Sequence, residues 1–254
     1  MMSTSTDKPT VDHALQSVHT LSGLELVKAK DAIEQFIYSC SHTLRSPLKS
    51  IAGLVNILKS EQGNPEIDPA IFLSSIEKTV SKMESVLNEL EQFLTNSRQS
   101  LTMHAVDAKT ILDDVLHECR DAIQTANVRV TTSIKQPVAL CTDGNRLHVM
   151  LAHVISNAIQ FRDTAKARAE IHVNIKVMAS VCLIRVRDNG VGMTDAVLPH
   201  IYELFYRGSV QSAGAGVGLY VVKEILNKIG GIITVRSEVG VGSAFLISVP
   251  NLVP

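Results

Sequence analysis

Two amphipathic stripes at helical spacing constrain this chain more than any other feature. Ile33, Ile37, Cys40, Leu44, Leu48, Ile51, Val55 and Leu58 recur every three or four residues, which places them on one face of a helix. The spacing predicts a long helix from about residue 16 to about Lys59. Gln62-Gly63-Asn64-Pro65 is a turn signal, and Asp68-Pro69 opens a second helix with its own stripe of Phe72, Ile76, Val80, Met83, Leu87, Leu90 and Leu94. Two such helices joined by a short loop predict an antiparallel hairpin. One hairpin covers neither stripe well, whereas two copies make a four-helix bundle, so a homodimer is the expected state. The first 15 residues are polar and read as a disordered N-terminus, with residues 16–99 forming the helical domain.

One residue on the first helix departs from this pattern. His42 lies two positions before Leu44, so at roughly 100° per residue it points about 160° away from the stripe and faces water. Ser46 and Lys49 follow on the same face, with Arg45 beside them. Pro47 has no N–H for the Thr43 carbonyl, a loss that typically costs about 3 kcal/mol in a helix interior and loosens the turn after the histidine. By itself the segment suits a surface histidine beside an incidental proline equally well.

The chain has 254 residues, 45 % of them apolar, and 24 basic against 25 acidic side chains give a formal net charge of −1. No basic face or aromatic-interleaved basic patch stands out, so no nucleic-acid partner is expected. Cys40, Cys119, Cys141 and Cys182 lie far apart with no C-x-x-C pair and no metal spacing, and read as small buried hydrophobes of a reducing compartment. No apolar run reaches the ~18 residues of a membrane span. Residues Met1 to Lys8 lack the apolar core of a signal peptide. The expected setting is the cytoplasm, either as a soluble protein or as the cytosolic half of something longer.

Beyond about Ser100 the pattern changes to mixed helix and strand. Helices are expected over about Asp107–Ala122, Asn145–Phe161 and Gly218–Ile229. Strands are expected at Val128–Ile134, Val138–Cys141, around Ile171–Val177 and Cys182–Val186, and near Ile232–Ser237 and Ser243–Val249. This order argues for an α+β domain over residues 100–254, with a mixed sheet covered on one face.

Three elements of that domain carry ligand chemistry. Asp188 continues the inward register of Cys182, Ile184 and Val186, and Asn189-Gly190-Val191-Gly192 follows at once. A buried acceptor beside a Gly-x-Gly turn suits an adenine amino group, and equally a strand-ending turn. Gly214, Gly216 and Gly218 precede Leu219 at the mouth of a helix, where backbone amides can meet phosphate. No Gly-Lys-Ser/Thr follows, so this is not a Walker loop. His153 and Asn157 are i,i+4 on one helix, and an Asn amide oxygen can ligate a Mg2+ ion that arrives with nucleotide phosphates.

In one order the chain thus holds an exposed His with Pro, an Asn helix, Asp-x-Gly-x-Gly, Tyr202-Glu203-Leu204-Phe205-Tyr206-Arg207 and a Gly-rich helix entry. That order resembles the sensor histidine kinases of two-component systems from about Phe36 to Pro250. The resemblance implies a dimerisation and phosphoacceptor hairpin, then the two-layer ATP-binding fold shared with gyrase-type topoisomerases and certain chaperones (the GHKL fold). It implies His42 as phosphoacceptor with Arg45 and Ser46 beside it, Asn157 as Mg2+ ligand and Asp188 as adenine reader. Gly190, Gly192, Gly214, Gly216, Gly218 and Leu219 would shape the pocket and its lid. Arg207 would contact phosphate and Phe205 would anchor the lid. ATP and Mg2+ are the implied cofactors. The implied partners are a second copy, a response-regulator receiver domain and a separate sensor protein. Four positions depart from the family's pattern: Thr43 replaces an acidic residue, Ser46 a Thr or Asn, His153 an Asn and Gln160 a basic residue. A phosphotransfer or phosphatase scaffold on the same fold is the alternative reading.

Overall fold

The structure is a computed structural model that describes residues 41, 44–61, 68–208 and 216–252, with no side chains described at 82, 85, 89, 90 and 92–98. His42, Cys40, Gly214, the N-terminal 15 residues and the first part of the first apolar stripe lie outside the described residues. The chain divides into two compact units, Met1–Ile67 and Asp68–Pro254.

In the first unit, helix α1 covers residues 44–60 and continues through Pro47. Leu44, Ile51, Val55 and Leu58 are half-buried, whereas Arg45, Ser46 and Lys49 are exposed, as expected. Leu48 departs from its stripe and is exposed.

The second unit opens with α2 (Pro69–Arg98). Pro69 takes the first helical position, where its missing N–H costs nothing, and the Asp68 carboxylate accepts the Ala70 N–H at 2.9 Å. Val86 is buried, while Val80 and Leu87 on the predicted stripe remain exposed. The expected helix over Asp107–Ala122 is two helices, α3 (Ala108–Glu118) and α4 (Arg120–Thr125), broken at Cys119. No glycine or proline marks that break. Between and around them run β1 (His104–Val106), β2 (Val128–Lys135) and β3 (Leu140–Thr142), with β1 and β3 paired in a small antiparallel sheet.

The main sheet is built from β2, β4 (Ala169–Val177), β5 (Val181–Asp188), β6 (Ile232–Glu238) and β7 (Gly242–Pro250) in the order β2-β4-β5-β7-β6. Only β2 and β4 are parallel, so the sheet is mixed. Strand alternation sorts its two faces. Val173, Ile184, Val186, Ile247 and Val249 turn inward and are buried. Against them pack α5 (Gly144–Gln160) and α6 (Gly218–Ile229) through Leu151, Val154, Ile155, Val222 and Leu226. The result is a two-layer α+β domain, as the pattern predicted.

The outer face corrects one expectation. Arg129, Lys135, Lys176, Arg185, Arg187 and Arg236 all lie on it, and all are exposed. These cations sit at alternate positions of four strands, so no run of the sequence looks basic, yet the sheet assembles a basic face.

A buried ion pair seats the segment after α2. Asp143 caps α5 by accepting the Arg146 N–H at 3.1 Å, and its carboxylate also pairs with the Arg146 guanidinium. Both side chains are 3 % exposed. Arg146 further donates to the Gln99 and Ser100 carbonyls at 2.7 and 3.3 Å, and Asp143 accepts the Thr102 N–H at 3.0 Å. Arg146→Ala leaves a buried carboxylate and two carbonyls without their cation. A loss of about 3–5 kcal/mol of domain stability is expected in urea denaturation.

Candidate nucleotide site

β5 ends in a carboxylate because its inward register runs out at Asp188. Asp188 is 8 % exposed. Its Oδ1 accepts the N–H groups of Gly190 at 2.8 Å and Ser243 at 3.1 Å. Both bonds fix one oxygen and leave Oδ2 for a ligand. Burial nevertheless pushes the pKa up, against the pull of these amides and of Lys166.

The two glycines of the turn that follows admit no side chain. A Cβ on Gly190 would lie 2.3 Å from the Phe161 carbonyl oxygen, and one on Gly192, at φ +69°, 2.0 Å from that of Glu238. Lys166 donates to the Asn189 carbonyl at 2.6 Å and the Val241 carbonyl at 3.2 Å. The Asn189 side chain accepts the Glu170 N–H at 2.8 Å and donates to the Arg168 carbonyl at 3.0 Å. Sequence reasoning missed Lys166 and Ser243, because each reaches this turn from a separate strand or loop and neither carries a local signal.

The turn joins α5 through its C-terminus. The Val191 N–H donates to the Phe161 carbonyl at 3.0 Å, and the Phe161 N–H donates to the Asn157 carbonyl at 2.9 Å. The Asn157 carboxamide is half-buried and makes no hydrogen bond among the described residues. One turn earlier, the His153 ring faces the first residue of α6, where a Cβ on Gly218 would come within 3.0 Å of Nδ1. Val217 gives α6 no side-chain cap, so its first amides are available to an anion. Thus α5 and α6 bring Asn157, His153, Gly218 and Leu219 to one end of the site, and β5 brings Asp188, Gly190 and Gly192 to the other.

A lone neutral oxygen is a poor cage for a free metal, and no cluster of three or more His, Cys, Asp or Glu ligands occurs among the described residues. It fits a Mg2+ ion that takes its other ligands from phosphates and water. Phe205 sits at φ +64°, and its N–H donates to the Gly216 carbonyl at 2.9 Å, closing the base of the segment between them. Arg207 is exposed on that segment. Arg45 and Ser46 belong to the other unit.

His153 carries a consequence for acid stability. Its Nε2 is buried without a partner among the described residues, and burial lowers its pKa to about 4. The unfolded chain therefore binds a proton from about pH 6.5 downward while the native domain stays neutral. Stability present above that pH is lost as pH falls toward 4, by on the order of 3 kcal/mol. His153→Asn removes this slope, which urea melts across the interval would show.

Comparison with known proteins agrees with this geometry. Residues 32–97 match the His Kinase A (phospho-acceptor) domain, and residues 142–252 match the histidine kinase-, DNA gyrase B- and HSP90-like ATPase family. The methanogenesis regulatory histidine kinase FilI of Methanothrix harundinacea is 30 % identical over 89 % of this chain and 25 % of its own length. The signal transduction histidine-protein kinase AfsQ2 of Streptomyces coelicolor is 28 % identical over 89 % of this chain and 43 % of its own. The chain therefore spans less than half the length of these relatives. Among solved structures, Acinetobacter baumannii histidine kinase AdeS superposes with a TM-score of 0.66 at 19 % identity, over 84 % of this chain and 98 % of that one. Histidine kinase ThkA in complex with response regulator protein TrrA gives 0.66 at 16 % identity, over 97 % and 68 %. The chain belongs to the sensor histidine kinases of two-component systems, and its C-terminal half is the ATP-using domain of that family. No helix among the described residues is long and apolar enough to cross a membrane.

Proposed function

We propose that this chain is a kinase core that binds Mg·ATP between α5, α6 and the end of β5, phosphorylates His42 and passes the phosphoryl group to an aspartate of a response regulator. The observation that carries the reading is the Asp188 carboxylate, buried and held by two backbone amides beside a glycine turn. Asp188 Oδ2 accepts the adenine amino group, and Gly190 and Gly192 let the base approach the backbone. Asn157 holds Mg2+, which neutralises charge on the phosphates. The α6 amides, with Gly216, Gly218 and Leu219 at the helix entry and Gly214 just before them in sequence, receive phosphate oxygens, and Arg207 adds a cation. Phe205 anchors the base of the lid.

The transfer is an in-line displacement governed by positioning. The unprotonated ring nitrogen of neutral His42 forms the N–P bond as the bond from the γ-phosphorus to the bridging oxygen breaks, and ADP leaves. The phosphorylated ring then gives its extra proton to water, since Thr43 is no base. Arg45 and Ser46 sit beside the acceptor in sequence, and Ser46 serves the reverse hydrolysis. The exposed apolar residues Leu48, Val80 and Leu87 support a homodimer through the helical hairpin of residues 16–99. A receiver domain and a separate sensor protein complete the partners, in the cytoplasm.

Thr43 and Gln160 favour a second reading, a phosphotransfer scaffold with a weakened kinase. ATP labelled at the γ or the α phosphate separates the two. The kinase reading expects label in the protein from γ-ATP and none from α-ATP. ATP binding without γ-label supports the scaffold.

A further inference from the structure

We infer that the outer face of the main sheet is a docking surface for an acidic protein partner, anchored by a carboxylate that enters a cleft between Arg187 and Arg236. Six exposed cations share this face with two carboxylates, Glu170 and Glu238. None of the six has an ion-pair partner among the described residues. Arg187 on β5 and Arg236 on β6 both stand opposite Ala244 of the intervening β7. They are therefore two strand spacings apart, roughly 9–10 Å, with a methyl group as the floor between them. A cleft of about 220 Å3 opens there, lined also by Ser237, Glu238 and Ser243 and by Asp188, whose side chain belongs to the inward register of β5. Two guanidinium forks beside a small floor suit a planar carboxylate.

The chemistry of the face selects among polyanions. No Phe, Tyr or Trp lies on it, and its single aromatic ring, His172, sits 3.8 Å from the Glu170 carboxylate, so it offers single-stranded nucleic acid no series of stacking platforms. A lipid surface needs net charge but has no use for a cleft flanked by two arginines. Leu246 and Ile232 are exposed beside the arginines, the mixture of Arg and apolar side chains found at the centre of protein interfaces. Five strands and four cross-strand rows cover roughly 400 Å2, about half of what one partner buries in a stable complex. The docking is therefore transient, steered by charge and weakened by salt.

The test uses a labelled oligoglutamate peptide and the full chain. At low salt the peptide should bind, and Arg187→Glu with Arg236→Glu should weaken it about tenfold or more while ATP affinity stays unchanged. Lys78→Glu with Lys109→Glu, an equal charge change elsewhere, should leave peptide binding in place. Should the glutamate pair fail to fold, Arg187→Gln with Arg236→Gln is compared with Lys78→Gln with Lys109→Gln instead. The inference is overturned if the peptide does not bind or if the two charge-matched variants weaken it equally. Tighter binding of a charge-matched single-stranded DNA or of phosphatidylglycerol vesicles through the same arginines also overturns it. ATP binding reports separately on the kinase reading.

Discussion

Asp188→Asn is expected to lower ATP affinity about 100-fold while raising the melting temperature of the domain. The loss follows from geometry. Gly190 and Ser243 hold one side-chain oxygen with their N–H groups. In the variant that oxygen keeps its place, and the new NH2 group occupies the position of Oδ2. A donor then faces the adenine amino group, itself a donor. Losing a hydrogen bond to a charged group costs about 1.5–3 kcal/mol, and the donor–donor contact adds to it. The stability gain follows from burial. The folded Asp188 pKa lies above its unfolded value, so its contribution is full below the ordinary carboxylate pKa and is lost as pH rises through the raised native value. The neutral amide avoids that loss at neutral pH, so the gain in melting temperature should shrink on acidification. Calorimetric titration with ATP and thermal melts across pH check both halves. A variant that binds ATP normally would remove Asp188 from the site.

Asn157→Ala is expected to abolish the Mg2+ dependence of ATP binding and to cut the labelling rate by about 100-fold or more. Substitutions of groups that merely support a metal ligand typically cost 10–100-fold, so removing the ligand oxygen should lie at the top of that range or beyond. The Asn157 side chain has no hydrogen-bond partner among the described residues, and the contact that ties α5 to the glycine turn uses its backbone carbonyl. The fold and the affinity for metal-free ATP should therefore survive. Titrating Mg2+ against fixed ATP in both proteins separates a metal ligand from a structural residue. An unchanged Mg2+ dependence would exclude the first role.

How far the sequence could be read depended on the range of the interactions. The inward register of Cys182, Ile184 and Val186 located Asp188, because period two is local to one strand. The start of α2 at Pro69 and the span of α6 were likewise carried by neighbouring residues. The break at Cys119 was not legible, since a helix can end there without glycine or proline when the caps are backbone groups. The three-residue strand β1 is too short to alternate visibly. Ser243 reaches Asp188 across 55 residues of sequence, and Lys166 spans 75 to the Val241 carbonyl. Such contacts exist only once the strand order is set. The basic outer face is the same case, because adjacency of β5, β7 and β6 makes neighbours of Arg187 and Arg236. Phe205 takes a positive φ that its side chain gives no reason to expect.

Assignment as a kinase rests on His42 accepting the γ-phosphoryl group of ATP. The direct measurement is incubation of the wild type and His42→Gln with γ-labelled ATP and Mg2+, followed by acid and alkali treatment of the labelled protein. Label is expected on the wild type alone, lost in acid and stable in alkali as a phosphoramidate. Equal label on His42→Gln, or label that survives acid, would contradict that assignment.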